Sequence, residues 1–413
     1  MRNSDTLENI LMTTPYQPPA DIITKYADLL VNCALGGGKG IKAGDVVYLR
    51  VPECAKPMLL ALQRAVWKAG GHTITNFAPD GATRPFYEIA NDAQLDFFPD
   101  KYYHGLVEQV DHLCAVKASV DKQELKGIDP ARVQRNEKSI KPWMDWRRDK
   151  EAAGKLSWTL AMWGTPQMAK EVNLTQEAYW DEIIKACYLD HEDPVTKWRE
   201  LMAETNRLKE RLDALQIDQV RIEAPGTDLI IGIGEGRQWL GGTGRNIPSF
   251  EVFISPDWRR TQGHITFTEP LYRYGTLIKG VYAEFQDGRA VKVSAQEGED
   301  VLRSMIAVEH ADKLGEFSLT DGRMSRITKF MGETLFDENV GGQQGNTHVA
   351  FGNAYRDSYP GDASKVPKEE WTRLGYNESA VHTDIVATSP RTVTATLNDV
   401  SRRVIYRDGK FLI

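Results

Sequence analysis

Two histidines, an aspartate and a glutamate stand within one segment of about 70 residues. Glu316 lies in Gly315-Glu316, His348 opens His348-Val-Ala-Phe-Gly-Asn-Ala-Tyr355, and His382 and Asp384 form His382-Thr-Asp384. Another carboxylate, Glu251, stands upstream in Phe250-Glu251-Val252-Phe253, at the edge of an apolar run. Imidazole and carboxylate together are the ligand set of divalent metals such as zinc, cobalt or manganese. One catalytic zinc usually takes three protein ligands and keeps a position open, so five candidates point to two metals. On a strand, the i, i+2 spacing of His382 and Asp384 puts both side chains on one face. The same pair would also suit a buried ion pair, and the residues alone leave both readings open. His72, His104, His112, His191, His264 and His310 have no comparable setting and read as structural.

Something must hold these side chains, and the chain is long enough for two or three domains at 413 residues. With 41% hydrophobic and 26% charged residues it has the composition of a globular protein. A balance of 51 basic against 58 acidic residues, net -7, argues against nucleic acid or an anionic membrane as partner. The polar start Met1-Arg-Asn-Ser-Asp-Thr-Leu-Glu-Asn has no signal-peptide core, and no apolar run of about 18 residues could span a bilayer. Cys33, Cys54, Cys114 and Cys187 are widely spaced and read as reduced thiols. The expected compartment is the cytoplasm.

The expected fold class is α/β, with parallel βαβ units in an amino-terminal domain (1–215) and a strand-rich α+β catalytic domain (216–413). A helical stretch at 20–35 precedes a glycine-rich turn, a β-type run at 46–51, an apolar-periodic helix at 56–70 and a further strand at 73–77. Strand, helix, strand predicts a parallel βαβ unit. Helical periodicity runs from 167 to 215, with 194–215 a long amphipathic helix. Beyond it, 277–285, Asp287-Gly288 and 290–295 predict a hairpin, because Asp-Gly supplies the positive φ angles of a tight turn. The device repeats at 404–406, Asp408-Gly409 and 411–413, and 299–312 predicts a helix. Gly36-Gly-Gly-Lys-Gly40 lacks phosphate-loop spacing, and no helix follows Gly232-Ile-Gly-Glu-Gly236, so neither reads as a nucleotide site.

From about Lys25 onward the chain resembles the thermophilic metalloaminopeptidases of peptidase family M29. The resemblance rests on Gly226-Thr-Asp-Leu229, Asn246-Ile-Pro-Ser-Phe-Glu251-Val-Phe, Pro270-Leu-Tyr, Leu314-Gly-Glu316-Phe, Leu335-Phe-Asp-Glu-Asn339, His348-Val-Ala-Phe-Gly-Asn-Ala-Tyr355 and His382-Thr-Asp384, in family order. It implies that Glu251, Glu316, His348, His382 and Asp384 bind two metal ions and that Tyr355 is an active-site tyrosine. It also implies a homodimer acting on peptides with a free amino terminus. The chain departs from the family pattern in a longer link at 340–347, with Thr347 where the family has cysteine, and in Phe250.

Two zinc, cobalt, manganese or magnesium ions would lower the pKa of bound water from ~15.7 to about 7 and polarise the peptide carbonyl. In that scheme Glu316 is also the candidate general base, and Tyr355 donates a hydrogen bond to the oxyanion. Asp337 and Glu338 read as supporting or loop-ordering groups. The sequence leaves two alternatives: a mononuclear iron ring-cleaving dioxygenase on the same scaffold, or a non-catalytic binding protein whose charged residues form an ion-pair network.

Overall fold

The computed structural model describes residues 16–273 and 275–413. The polar amino-terminal run lies outside them. In the first half, β1 (Val46–Pro52), β2 (His72–Ala78), β3 (His112–Lys117) and β4 (Ser157–Met162) form a parallel sheet in the order β2-β1-β3-β4. The helix Lys56–Lys68 joins β1 to β2 and buries Met58, Leu59, Leu62, Ala65 and Val66, the spacing of a single helix face. This is the βαβ unit expected from the sequence. The predicted helix 20–35 is regular over Ala20–Leu29 and then widens into a π-type turn over Leu30–Ala34.

The helical stretch that follows resolves into Pro166–Glu171, Gln176–Ala186 and Pro194–Ala214. The last is a 21-residue helix burying Trp198, Leu201, Met202, Thr205, Leu208 and Leu212 on one face. Its start is fixed by Asp193, whose carboxylate accepts the Thr196 N–H at 3.0 Å, and by Pro194 in the first turn.

The second half is strand-rich: β5 (Ile217–Ala224), β6 (Thr227–Gly232), β7 (Glu251–Ile254), β8 (Thr261–Thr266), β9 (Leu271–Arg273), β10 (Thr276–Ile278), β11 (Tyr282–Gln286), β12 (Arg289–Ser294), β13 (Leu314–Thr320), β14 (Asn346–Gly352), β15 (His382–Ala387), β16 (Thr392–Leu397), β17 (Arg402–Arg407) and β18 (Lys410–Phe411). Eight of them form a sheet ordered β12-β11-β8-β6-β5-β16-β17-β18, and four form a second sheet ordered β15-β14-β13-β7. Both predicted hairpins close through Asp-Gly turns with positive φ, 48° and 78° at Asp287 and Gly288, 47° and 78° at Asp408 and Gly409. Two expectations are corrected. The predicted strand 277–285 is broken at Gly280 (φ 62°) into β10 and β11, and the predicted helix 299–312 ends at Ile306. The residues after it turn, with His310 left-handed at φ 61°.

One large buried cluster runs from Ile23 to Phe411, so both halves share a core. The four-stranded sheet packs on the eight-stranded one through Phe351 stacked on Phe285 (centroids 5.6 Å apart), and Phe317 meets Trp239 edge-on at 6.0 Å. That fixes which face of β13 and β14 is left for polar groups.

Candidate metal centre

Alternation along the four-stranded sheet sorts its residues. On β14, Val349 and Phe351 point into the apolar core, so His348 and Ala350 point the other way. Register then lines up the neighbours: Glu316 pairs with Ala350 and Ala350 with Asp384, Ser318 with His348, Gly352 with His382, and Thr320 with Glu251. Glu251, Glu316, His348, His382 and Asp384 therefore share one face, drawn from four strands. The residues between them are small, and the methyl group of Ala350 separates Glu316 from Asp384.

A bulge at the start of β13 aims Glu316. The pairing register slips between Leu314 and Glu316, leaving Gly315 unpaired. A Cβ at Gly315 would lie 2.0 Å from the Asn353 carbonyl oxygen and 2.6 Å from that of Gly352, so no other residue fits without moving the strand.

The side chains converge. His348 Nε2 is 3.0 Å from Glu316 Oε1, 3.3 Å from Glu251 Oε2 and 3.9 Å from Asp384 Oδ1. His382 Nε2 is 3.5 Å from Asp384 Oδ1 and 3.8 Å from Glu316 Oε2. In two sets, Glu251–Glu316–His348 and Glu316–His382–Asp384, the potential ligand atoms all lie within 4.8 Å of one another. Glu316 belongs to both.

The imidazoles are oriented for metal. His348 Nδ1 donates to the Glu338 carbonyl at 3.1 Å and His382 Nδ1 to the Asn353 carbonyl at 2.8 Å. A carbonyl only accepts, so each Nδ1 carries a proton and each Nε2 faces the carboxylates, as metal-binding histidines are commonly held. The charges agree. Burial, reinforced by Asp384 and Glu251, pushes Glu316 up to about 7 despite its hydrogen bond to His348. Burial works against the charge on His382, but Asp384 and Glu316 outweigh it and lift His382 to about 9; Asp384, against its own burial, is held at about 2 by His382. His348 is likewise raised, its burial overcome by Glu251, Glu316 and Asp384. In the metal-free chain, protonated imidazoles are the cations that these carboxylates gather around, and a divalent ion would displace those protons. The donor set fits a divalent metal.

Three further residues complete the description. Tyr355 follows β14; its ring is 4.7 Å from that of His382 and 6.0 Å from that of Phe253, yet the residue is 42% exposed. Desolvation and the field of Glu316, Asp384, Glu338 and Glu251 hold its phenol well above the usual range, so it is a proton donor. Asp337 accepts the Met331 N–H at 2.6 Å and orders its own loop. Glu338 is buried beside the site: its main-chain carbonyl receives His348 Nδ1, and burial, then Glu251 and Asp384, push its carboxyl well up. A narrow cleft walled by Pro270, Leu271, Tyr272, Thr334 and Val386 reaches Asp384 and Glu338. The two departures from the family pattern leave the metal-facing side intact. Thr347 is buried on the opposite face of β14, and Phe250 stacks on Trp198 of the long helix at 5.3 Å, anchoring the strand that begins at Glu251.

Two imidazoles and three carboxylates converging on an antiparallel sheet, beside a parallel α/β unit, define a divalent-metal enzyme. The chain belongs to the thermophilic metalloprotease family M29, whose model matches residues 20–411. It is 30% identical to aminopeptidase T of Thermus aquaticus over 422 residues, covering 95% of this chain and 100% of that protein. It is 29% identical to aminopeptidase PepS of Streptococcus thermophilus over 417 residues, 95% of this chain and 98% of PepS. The solved structure of wild-type AmpT from Thermus thermophilus matches it with a TM-score of 0.82 at 26% identity, covering 95% of this chain and 99% of that one. The protein is a metalloaminopeptidase. Among the described residues, no helix is long and apolar enough to cross a membrane.

Proposed function

We propose that this metalloaminopeptidase removes amino-terminal residues with two divalent ions, zinc, cobalt, manganese or magnesium, that share Glu316. The observation that carries the reading is the membership of Glu316 in both ligand sets. Glu251 and His348 would complete one position and His382 and Asp384 the other, with Glu338 joining from the segment before β14. Three clustered carboxylates exceed the two-histidine, one-carboxylate set of a mononuclear iron oxygenase, which argues against the dioxygenase reading.

Bound divalent ions supply an acidified water and a polarised carbonyl. The chain's residues do the rest. Glu316, between both histidines, would take a proton from the attacking water and return it to the leaving amine through an oxygen that is only loosely held by metal. Tyr355, partly exposed at the edge of the cluster, donates a hydrogen bond to the oxyanion. A substrate's free amine held by one ion or by a nearby carboxylate would make the action exopeptidic.

The test is a chelated chain titrated with each metal and assayed on free and N-acetylated aminoacyl-anilides. Two ions per chain and activity on free amines alone are expected; a hydrogen bond to a charged group is worth about 1.5–3 kcal/mol, tenfold to over a hundredfold in kcat/KM. A stoichiometry of one ion, or equal rates on both substrates, overturns the reading. The functional division at 215/216 and a cytoplasmic homodimer are part of the same proposal. Four free cysteines, three of them buried, suit a reducing compartment. The dimer rests on the family resemblance, and light scattering of the purified chain tests it.

A further inference from the structure

The chain between β13 and β14, residues 321–345, is an irregular segment held chiefly by the other half of the molecule. Tyr188 donates its hydroxyl to the Met324 carbonyl at 2.5 Å, and Arg326 pairs with both oxygens of Asp190 at 2.8 and 2.6 Å. Glu182, on the helix Gln176–Ala186, accepts the Thr328 N–H at 2.9 Å and the Thr328 hydroxyl at 3.1 Å. Tyr179 donates to the Met331 carbonyl at 2.9 Å, and Lys122 donates to the Gly332 carbonyl at 2.7 Å and pairs with Glu333 at 2.8 Å. Glu182 is fully buried, and Lys329 of the segment approaches it at 4.0 Å. A buried carboxylate is costly, and here Thr328 and Lys329 of the segment offset that cost.

The fastened stretch leads directly into the metal-facing residues. The Glu338 carbonyl receives His348 Nδ1, and Asn339 Oδ1 receives the Phe250 N–H at 2.7 Å next to Glu251. Groups at 122, 179 and 182 thus set residues 328–333, and those residues lead to the groups that aim one ligand histidine and anchor one ligand glutamate.

We propose that Glu182 and Lys122 are positioning residues for the metal centre, so that the amino-terminal half is part of the metal-binding apparatus. The inference rests on the ligand assignment proposed above. Groups that orient metal ligands typically contribute about 10- to 100-fold in metal affinity. The experiment compares wild type with Glu182→Gln, Lys122→Met and Glu338→Gln in the full chain. It measures metal affinity by competition with a chromogenic chelator, the melting temperature with and without metal, and kcat and KM. The first two variants are expected to bind zinc or cobalt about 10- to 100-fold more weakly, with a smaller metal-induced rise in melting temperature, and Lys122→Arg to restore much of the affinity. If instead Glu182→Gln and Lys122→Met melt earlier by the same amount with and without metal, and bind it as wild type does, their role is only structural and the proposal is overturned. Wild-type affinity in Glu338→Gln would remove Glu338 from the ligand set, while Glu182→Gln would still decide the positioning role. Should Glu182→Gln fail to fold, Lys122→Met and Lys122→Arg decide it.

Discussion

Glu316 is the residue on which most depends, because it belongs to both sets of converging ligand atoms. Replacing it with alanine is expected to remove both ions and to abolish hydrolysis while the chain still folds. Glu251→Ala, His348→Ala, His382→Ala and Asp384→Ala are each expected to abolish most turnover. Near-normal rates at saturating metal after removing His382 or Asp384 would strike that pair from the ligand set. Tyr355→Phe should behave differently, since the ring packing against His382 survives and only the hydroxyl goes. Its kcat is expected to fall by about two orders of magnitude, with KM and metal content near wild type; loss of metal would make the tyrosine structural to the site. These six residues were legible in the sequence because each is a chemically conspicuous side chain in a short apolar or glycine-bearing motif. Glu338 was legible as a supporting acid, but that its main-chain carbonyl orients His348 was not. Its direction is set by a non-periodic segment whose anchors lie at 122, 179, 182 and 188, and no local pattern encodes that.

At the level of elements, position follows from register, and register at the site depends on Gly315. Without the bulge, Glu316 would not stand opposite Ala350 with Asp384 one strand further on. Gly315→Ala would drive a methyl group into the Asn353 and Gly352 carbonyls. It is expected to destabilise the fold by about 2 kcal/mol or more and to weaken metal binding together, read by denaturant unfolding and metal titration. A variant that loses neither would show that the strands can shift without disturbing the ligands. The Asp-Gly hairpins were readable because a turn with two positive φ angles has few alternative sequences. β13 and β14 offered less, since all seven residues of each are buried and the usual alternation of apolar and polar side chains is absent. Their faces had to be inferred from the chemistry of Glu316 and His348, and the π-type widening after Leu29 had no signal in the apolar pattern at all.

For the whole molecule, metal binding and folding should be one equilibrium. Glu251 and Glu316 are buried and the Asp384 side chain is only 9% exposed, and like charges brought together out of water repel unless a cation lies among them. The metal-free chain meets that demand with protons favoured on His348 and His382 by the surrounding carboxylates; divalent ions meet it with fixed charge. An ion that binds only the folded state stabilises it by RT ln(1 + [L]/Kd), about 2.7 kcal/mol for each site at a hundredfold excess over Kd. With an unfolding entropy of ~2.1 cal/mol/K per residue, that is about 3 °C of melting temperature per site for a chain of this length. Chelation should therefore lower the melting temperature in parallel with activity, and the variants should divide the effect. His382→Ala takes one ligand from one set and should leave roughly half of the metal-induced rise, whereas Glu316→Ala takes the shared carboxylate from both and should leave none. Melting curves that do not move between metal-free and loaded protein would mean that the carboxylate cluster is held together without a cation. A Glu316→Ala variant that keeps half the rise would mean that the two sites do not share it.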